Sequence, residues 1–105
     1  MKEVTVQELK AMQDKHEDFQ LIDVREEYEF DICQIGGKLI PMGEVAENID
    51  KISKTKKVVV HCRSGKRSAS VVQMLEQQHG YTNLYNLKGG IMAWADEIDH
   101  SLAKY

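Results

Sequence analysis

The chain has 105 residues, 42% apolar and 30% charged, with seven glycines and one proline; this is a globular mixture long enough for one hydrophobic core and too short for two, so one domain over 1–105 that folds without cofactor or partner is expected. A total of 14 Lys and Arg against 17 Asp and Glu gives a net charge of -3, which excludes a protein that coats nucleic acid, because neutralising phosphates takes a basic face. No stretch is long and apolar enough to span a bilayer, and Met1-Lys2-Glu3-Val4-Thr5 has neither the apolar run nor the small-residue site of a secretory signal, so a cytoplasmic setting is expected, in which the two cysteines serve thiol chemistry rather than a structural bridge.

A short strand before Thr5 leads into a helix that opens on a capping box, with Thr5 as N-cap, Glu8 reaching back, and Val4 and Leu9 as the hydrophobic staple. Val6, Leu9 and Met12 keep helical spacing until the polar run 14–18 ends the element. Phe19-Gln20-Leu21-Ile22-Asp23-Val24 reads as a strand, and the charged Arg25-Glu26-Glu27-Tyr28-Glu29-Phe30 as a short helix. Lys38-Leu39-Ile40, between the Gly36-Gly37 turn and Pro41, reads as a brief strand, and Val45, Ile49 and Ile52 at i, i+4, i+7 predict another helix. Val58-Val59-Val60 is the most β-branched run, as expected of a central parallel strand covered on both faces. A helix then runs from Arg67 or Ser68 to His79, closed by Gly80 in the left-handed cap position. After a strand at 83–86 and the Gly89-Gly90 turn, a last helix carries Ile91, Trp94, Ala95 and Ile98 on one side, with Trp94 expected in the core. Five short strands alternating with helices predict a three-layer α/β fold around a mainly parallel sheet. In such sheets ligands are received beyond the carboxyl ends of the strands, and Cys62 falls at one of those ends.

The segment from Val58 to Ser70 has the order buried strand, cysteine, basic glycine-bearing loop, helix. A strand fixes the thiol at the rim of the sheet, and a loop curling into a helix start turns unpaired backbone N–H groups towards an anion. Gly65 supplies the backbone freedom for the curl. A helix amino terminus and nearby cations lower a cysteine pKa from about 8.5, so Cys62 beside Arg63, Lys66 and Arg67 is expected to be a reactive thiolate and the catalytic nucleophile. The bland alternative is an inert cysteine closing a buried strand, with three solvated cations.

The strand, the loop Cys62-Arg63-Ser64-Gly65-Lys66-Arg67-Ser68 and the following helix resemble the active-site loop of the rhodanese family. Asp23-Val24-Arg25-Glu26 with Glu29-Phe30, Ile35-Gly36-Gly37 with Pro41, and Gly80-Tyr81 with Leu87-Lys88-Gly89-Gly90 and Trp94 fall where rhodanese domains have similar residues, so the resemblance runs from about Val4 to Ile98. It implies a five-stranded parallel sheet in the order 3-2-4-5-1 flanked by helices. It also implies a two-step relay in which Cys62 takes a sulfane sulfur from a donor such as thiosulfate, becomes a persulfide and yields it to a thiophilic acceptor. The persulfide would lie among the N–H groups of Arg63, Ser64, Gly65, Lys66, Arg67 and Ser68, and the three cations would attract a small anionic donor. No cofactor, membrane or nucleic acid enters such a scheme.

Related phosphatases carry a cysteine, five residues and then an arginine that grips phosphate bidentately; here that place holds Ser68 and Arg67 comes one residue early, so phosphatase or arsenate-reductase activity is a minor alternative. His61 echoes the His-Cys pair of those enzymes, but a strand-end histidine is expected to be structural. Cys33 stands in Asp31-Ile32-Cys33-Gln34-Ile35, where many rhodaneses have Gly-His, and packing is its expected role, with a partnership to Cys62 as the alternative. Asp23 and Arg25 are expected to form an ion pair or anchor. His16, His79 and His100 lack ligand spacing, so no metal site is expected. The Cys33-Gln34 replacement and the segment from Gly89 to Asp99 ending in Lys104-Tyr105 resemble the rhodanese domains of adenylating enzymes of molybdopterin and thiamine biosynthesis, which implies a second role: a persulfide carrier or docking module whose acceptor is a ubiquitin-like sulfur-carrier protein.

Overall fold

The β-branched run at the middle of the chain lies at the middle of the sheet. The computed structural model describes residues 1–105 throughout. Strands β1 (Glu3–Val4), β2 (Phe19–Asp23), β3 (Lys38–Leu39), β4 (Lys57–His61) and β5 (Leu84–Leu87) alternate with helices α1 (Val6–Asp14), α2 (Glu27–Ile32), α3 (Lys66–His79) and α4 (Gly90–Glu97). The strands form one five-stranded sheet, β1-β5-β4-β2-β3, with every neighbouring pair parallel. Read from the other edge this is the expected order 3-2-4-5-1.

Side chains alternate across β4, which divides the core in two. Val58, Val60 and Cys62 join Ile22 and Val24 under Val71, Val72 and Leu75 of α3. Val59 and Leu87 face the other way, against Leu9 and Met12 of α1 and Trp94 of α4. Each fully buried Val or Leu contributes roughly 1.5–3 kcal/mol relative to exposure, so the run is fixed from both sides. The capping box forms, with Thr5 Oγ1 accepting from the Glu8 N–H at 3.1 Å and Glu8 Oε1 from the Thr5 N–H at 2.9 Å. Gly80 closes α3 with φ 69°.

The segment carrying Val45, Ile49 and Ile52 is not the α-helix its spacing predicts. It forms 3-10 turns over Met42–Glu44 and Ala46–Lys51, interrupted at Asn48 with φ -124°. The cause is local. Asn48 Nδ2 donates to the Glu44 carbonyl at 2.7 Å, taking the acceptor an α-helix would give to the Asn48 N–H, which instead reaches Val45 at 3.0 Å. Val45 and Ile52 are still buried, so the apolar spacing marked the inward face correctly and the helix type wrongly.

β2 and β4 are neighbours, but the chain leaves them towards opposite edges of the sheet, β2 leading on to β3 and β4 to β5. At such a switch point the loops diverge and leave a crevice. Cys62 stands at its β4 side and α2 at its β2 side.

Candidate active site

A buried strand that stops at His61 delivers the next side chain, Cys62, to the floor of the crevice, 1% exposed. The chain then turns through Arg63, Ser64 and Gly65, where φ of +101° is a conformation open to glycine, and enters α3 at Lys66. This curl turns donors inward: the Gly65 N–H meets Cys62 Sγ at 3.1 Å, the Ser68 N–H at 3.4 Å, and Ser68 Oγ lies 3.4 Å from the same sulfur. Burial pushes the thiol up. Hydrogen bonds from the loop residues Ser68, Gly65 and Ser64 oppose it, and the net shift is downward, towards the thiolate.

The outer side of the curl is held by α4. The Ile91 N–H donates to the Cys62 carbonyl at 2.9 Å and the Met92 N–H to the Arg63 carbonyl at 3.1 Å. Any side chain at Gly90 would come within 2.7 Å of the Cys62 carbonyl oxygen, so the close approach of helix and loop requires glycine there.

The three loop cations are not equivalent. Arg67 forms a two-pronged ion pair with Glu29 of α2, at 2.6 and 2.8 Å, across the crevice. The Arg67 hydrogen bonds hold the Glu29 carboxyl down at about 2. Arg63 donates to the Tyr105 carbonyl and packs against that ring, 5.0 Å from its centre. Lys66 is exposed. The Tyr105 hydroxyl donates to Glu29 Oε2 at 2.7 Å and accepts from Arg25 Nη1 at 3.0 Å; burial and the Glu29 carboxylate push it up to about 12 against the opposing pull of Arg25.

Arg25 and Asp23 are the expected anchor. The guanidinium bonds the Asp23 carboxylate at 2.7 to 3.1 Å, the Glu29 carbonyl at 3.2 Å and the Cys33 carbonyl at 2.7 Å, with both charged groups fully buried. His61 lies on the opposite face of the sheet from Cys62, its Nε2 3.6 Å from Asp23 Oδ2 and without a hydrogen-bond partner. Burial keeps its ring neutral. Cys33 and Cys62 are both free thiols. No group of three or more His, Cys, Asp or Glu side chains is placed to hold a metal ion, and no helix is long and apolar enough to cross a membrane. A hollow of about 320 Å³ between α1 and α4 is lined by Thr5, Val6, Gln7, Lys88, Gly89, Ala93 and Glu97 and includes none of the cysteine loop.

The model of the rhodanese-like domain matches residues 5–97 of the sequence. The chain belongs to the rhodanese-like family. A relative of this rhodanese-like chain in Bacillus subtilis, YtwF, named as a sulfurtransferase, is 38% identical over 98 residues, 92% of this chain and 93% of its own. A crystal structure of a rhodanese-like domain protein from Staphylococcus aureus superposes with a TM-score of 0.84 at 35% identity, covering 93% of this chain and 95% of that one. The adenylyltransferase/sulfurtransferase MoeZ of Mycobacterium tuberculosis is 32% identical over 105 residues, 97% of this chain. The chain spans 26% of the length of MoeZ.

Sequence reasoning brought forward Cys62 and its loop but missed three members of the surroundings: Glu29 as the partner of Arg67, Tyr105 as their link to Arg25, and Asn86 beneath the loop. Asn86 left a signal. In Leu84-Tyr85-Asn86-Leu87 it takes the place of an apolar residue on an inward-facing position of a strand, and a buried amide of that kind calls for partners.

Proposed function

We propose that this rhodanese-like chain is a sulfurtransferase working through a persulfide on Cys62. The Cys62 thiolate attacks the sulfane sulfur of a donor such as thiosulfate, forming the new S–S bond as sulfite leaves with the electron pair of the old one. A thiophilic acceptor then attacks the outer sulfur, and the Cys62 thiolate departs unchanged. The observation that carries the reading is the Cys62 sulfur at the focus of the Gly65 and Ser68 N–H groups, a buried site with fixed dipoles aimed where negative charge rests. These amides, rather than the side chains of Arg63 and Arg67, hold the anion, because both arginines are already engaged. Commitment of Arg67 to Glu29 also speaks against phosphate as the substrate. Mass spectrometry after thiosulfate treatment tests this: one added sulfur is expected on the wild type, removed by cyanide, and none on Cys62→Ser. A wild type that gains no sulfur from thiosulfate or other sulfane donors sinks the reading.

A second reading, delivery of the persulfide sulfur to a ubiquitin-like sulfur-carrier protein, is favoured by the match to MoeZ. The exposed apolar side chains Tyr28, Ile32 and Met42 follow the carboxyl ends of β2 and β3, on the rim that also carries Cys62, where a protein acceptor would dock. Slow thiosulfate-to-cyanide turnover with tight binding to such a carrier selects this reading; rapid turnover with no carrier binding selects the stand-alone enzyme.

A further inference from the structure

Asn86 lies in β5, 4% exposed, and its amide faces the underside of the cysteine loop. Its Nδ2 donates to the Gly65 carbonyl at 3.1 Å, which fixes the orientation of the amide. Its Oδ1 therefore faces Ser68 Oγ, at 2.5 Å. An amide oxygen can only accept, so the Ser68 hydroxyl proton points at Asn86.

A hydroxyl has a single proton. The same Ser68 oxygen lies 3.4 Å from Cys62 Sγ, and with its proton given to Asn86 it turns lone pairs towards the sulfur. That arrangement accepts a hydrogen bond from a thiol and opposes a thiolate or a terminal persulfide. If the O–H swings to the sulfur, Asn86 Oδ1 loses its donor in a buried place. We propose that Asn86 is a positioning residue that decides whether the Ser68 hydroxyl proton serves its own amide oxygen or the Cys62 sulfur. The inference rests on Cys62 being the reacting sulfur. The two N–H groups of Gly65 and Ser68 are permanent donors, and the hydroxyl is a third that Asn86 withholds.

Of the loop cations, Arg63 is engaged with Tyr105 and Lys66 is exposed to solvent, and the other elements around the sulfur bring paired or neutral groups. From α3 comes Arg67, neutralised by Glu29 of α2. From β4 comes His61, neutral through burial, and from β2 the Asp23 and Arg25 pair. The first turn of α4 holds no acidic residue and supplies the Ile91 and Met92 N–H groups to loop carbonyls. Neutral Asn86 is the contribution of β5.

The pH dependence of Cys62 alkylation by iodoacetamide, which requires no sulfur transfer, tests the assignment. Cys33→Ala serves as the background so that one thiol reports. Asn86→Leu frees the Ser68 hydroxyl for the thiolate and is expected to move the midpoint down, giving about threefold more thiolate at a fixed pH below it. The shift is expected to vanish in Asn86→Leu with Ser68→Ala. An Asn86 that only braced the loop would do the reverse, because slackened N–H groups hold a thiolate less well; an unchanged or raised midpoint overturns the proposal. Should Asn86→Leu not fold, Ser68→Ala alone decides: a midpoint that stays or falls supports the withheld proton, and one that rises overturns it. Sulfur loading of Cys62, measured separately by mass, fails or holds independently of these midpoints.

Discussion

Two neighbouring strands end side by side at the crevice, with Asp23 of β2 in register with His61 of β4, and each runs on to an arginine two positions later, Arg25 and Arg63. The two ends are built on opposite plans. At the end of β2 the polar groups close on one another: Arg25 spends its donors on Asp23, Glu29, Cys33 and Tyr105, and the Asp23 and Arg25 pair is fully buried. At the end of β4 the backbone donors stay aimed at one sulfur. The cysteines divide the same way. The Cys62 sulfur receives N–H groups, while Cys33 contributes its carbonyl to Arg25 and its sulfur meets only the Arg25 Nη1 at 3.9 Å. What separates a site from a brace here is whether the polar groups are already spent, since burial alone is common to both.

Removing one partner from the closed end is expected to have the largest effect on stability. Arg25→Met strands the Asp23 carboxylate without its counter-ion, and a loss of about 3–5 kcal/mol in denaturant unfolding is expected, as for other broken buried pairs; a loss under about 1 kcal/mol would show that the closed network is not what holds this end. Next comes the bridge between the two ends. Glu29→Gln is expected to cost roughly 1.5–3 kcal/mol at neutral pH, the range for hydrogen bonds to charged groups. Because the folded carboxyl sits at about 2, below its ordinary 4.5, its contribution is complete above pH 4.5 and fades as pH falls towards 2. The wild type and Glu29→Gln should therefore converge in stability over that window, and parallel curves would contradict the assignment of the bridge.

Smaller effects sharpen the contrast of the cysteines. The lowered Cys62 pKa means that iodoacetamide alkylation should reach half its plateau rate below about pH 8.5, the free-thiol value. A midpoint at or above that value would remove the loop electrostatics from the account. Cys33→Ala is expected to leave sulfur loading of Cys62 unchanged and to cost about 1 kcal/mol of packing; lost loading would make Cys33 part of the chemistry.

Much of this was legible in the residues because it is local. Thr5 with Glu8, the Val58-Val59-Val60 run and Gly80 each combine a propensity with a pattern, and the sheet order followed from the family resemblance that the cysteine loop carried. The misreading at Val45, Ile49 and Ile52 arose because spacing reports which side faces the core, while the Asn48 side chain competes for a backbone acceptor that spacing does not see. The partners of the loop cations were hidden for another reason. Glu29, Tyr105 and Arg67 are far apart in sequence, and only the crevice between β2 and β4 brings them together.

The seat of α4 against the loop has a mechanical meaning. With the Cys62 and Arg63 carbonyls held by Ile91 and Met92, turning either peptide would break a hydrogen bond, and at the buried Cys62–Ile91 pair this costs about 1–3 kcal/mol for each group left unpaired. The donors around the sulfur are thus set before any reactant arrives and need no reorganisation when charge appears there. For the proposed sulfur transfer this makes the loop a stationary anvil: donor and acceptor would have to bring their own flexibility to it, and the amino end of α4, through Gly90, keeps it from yielding.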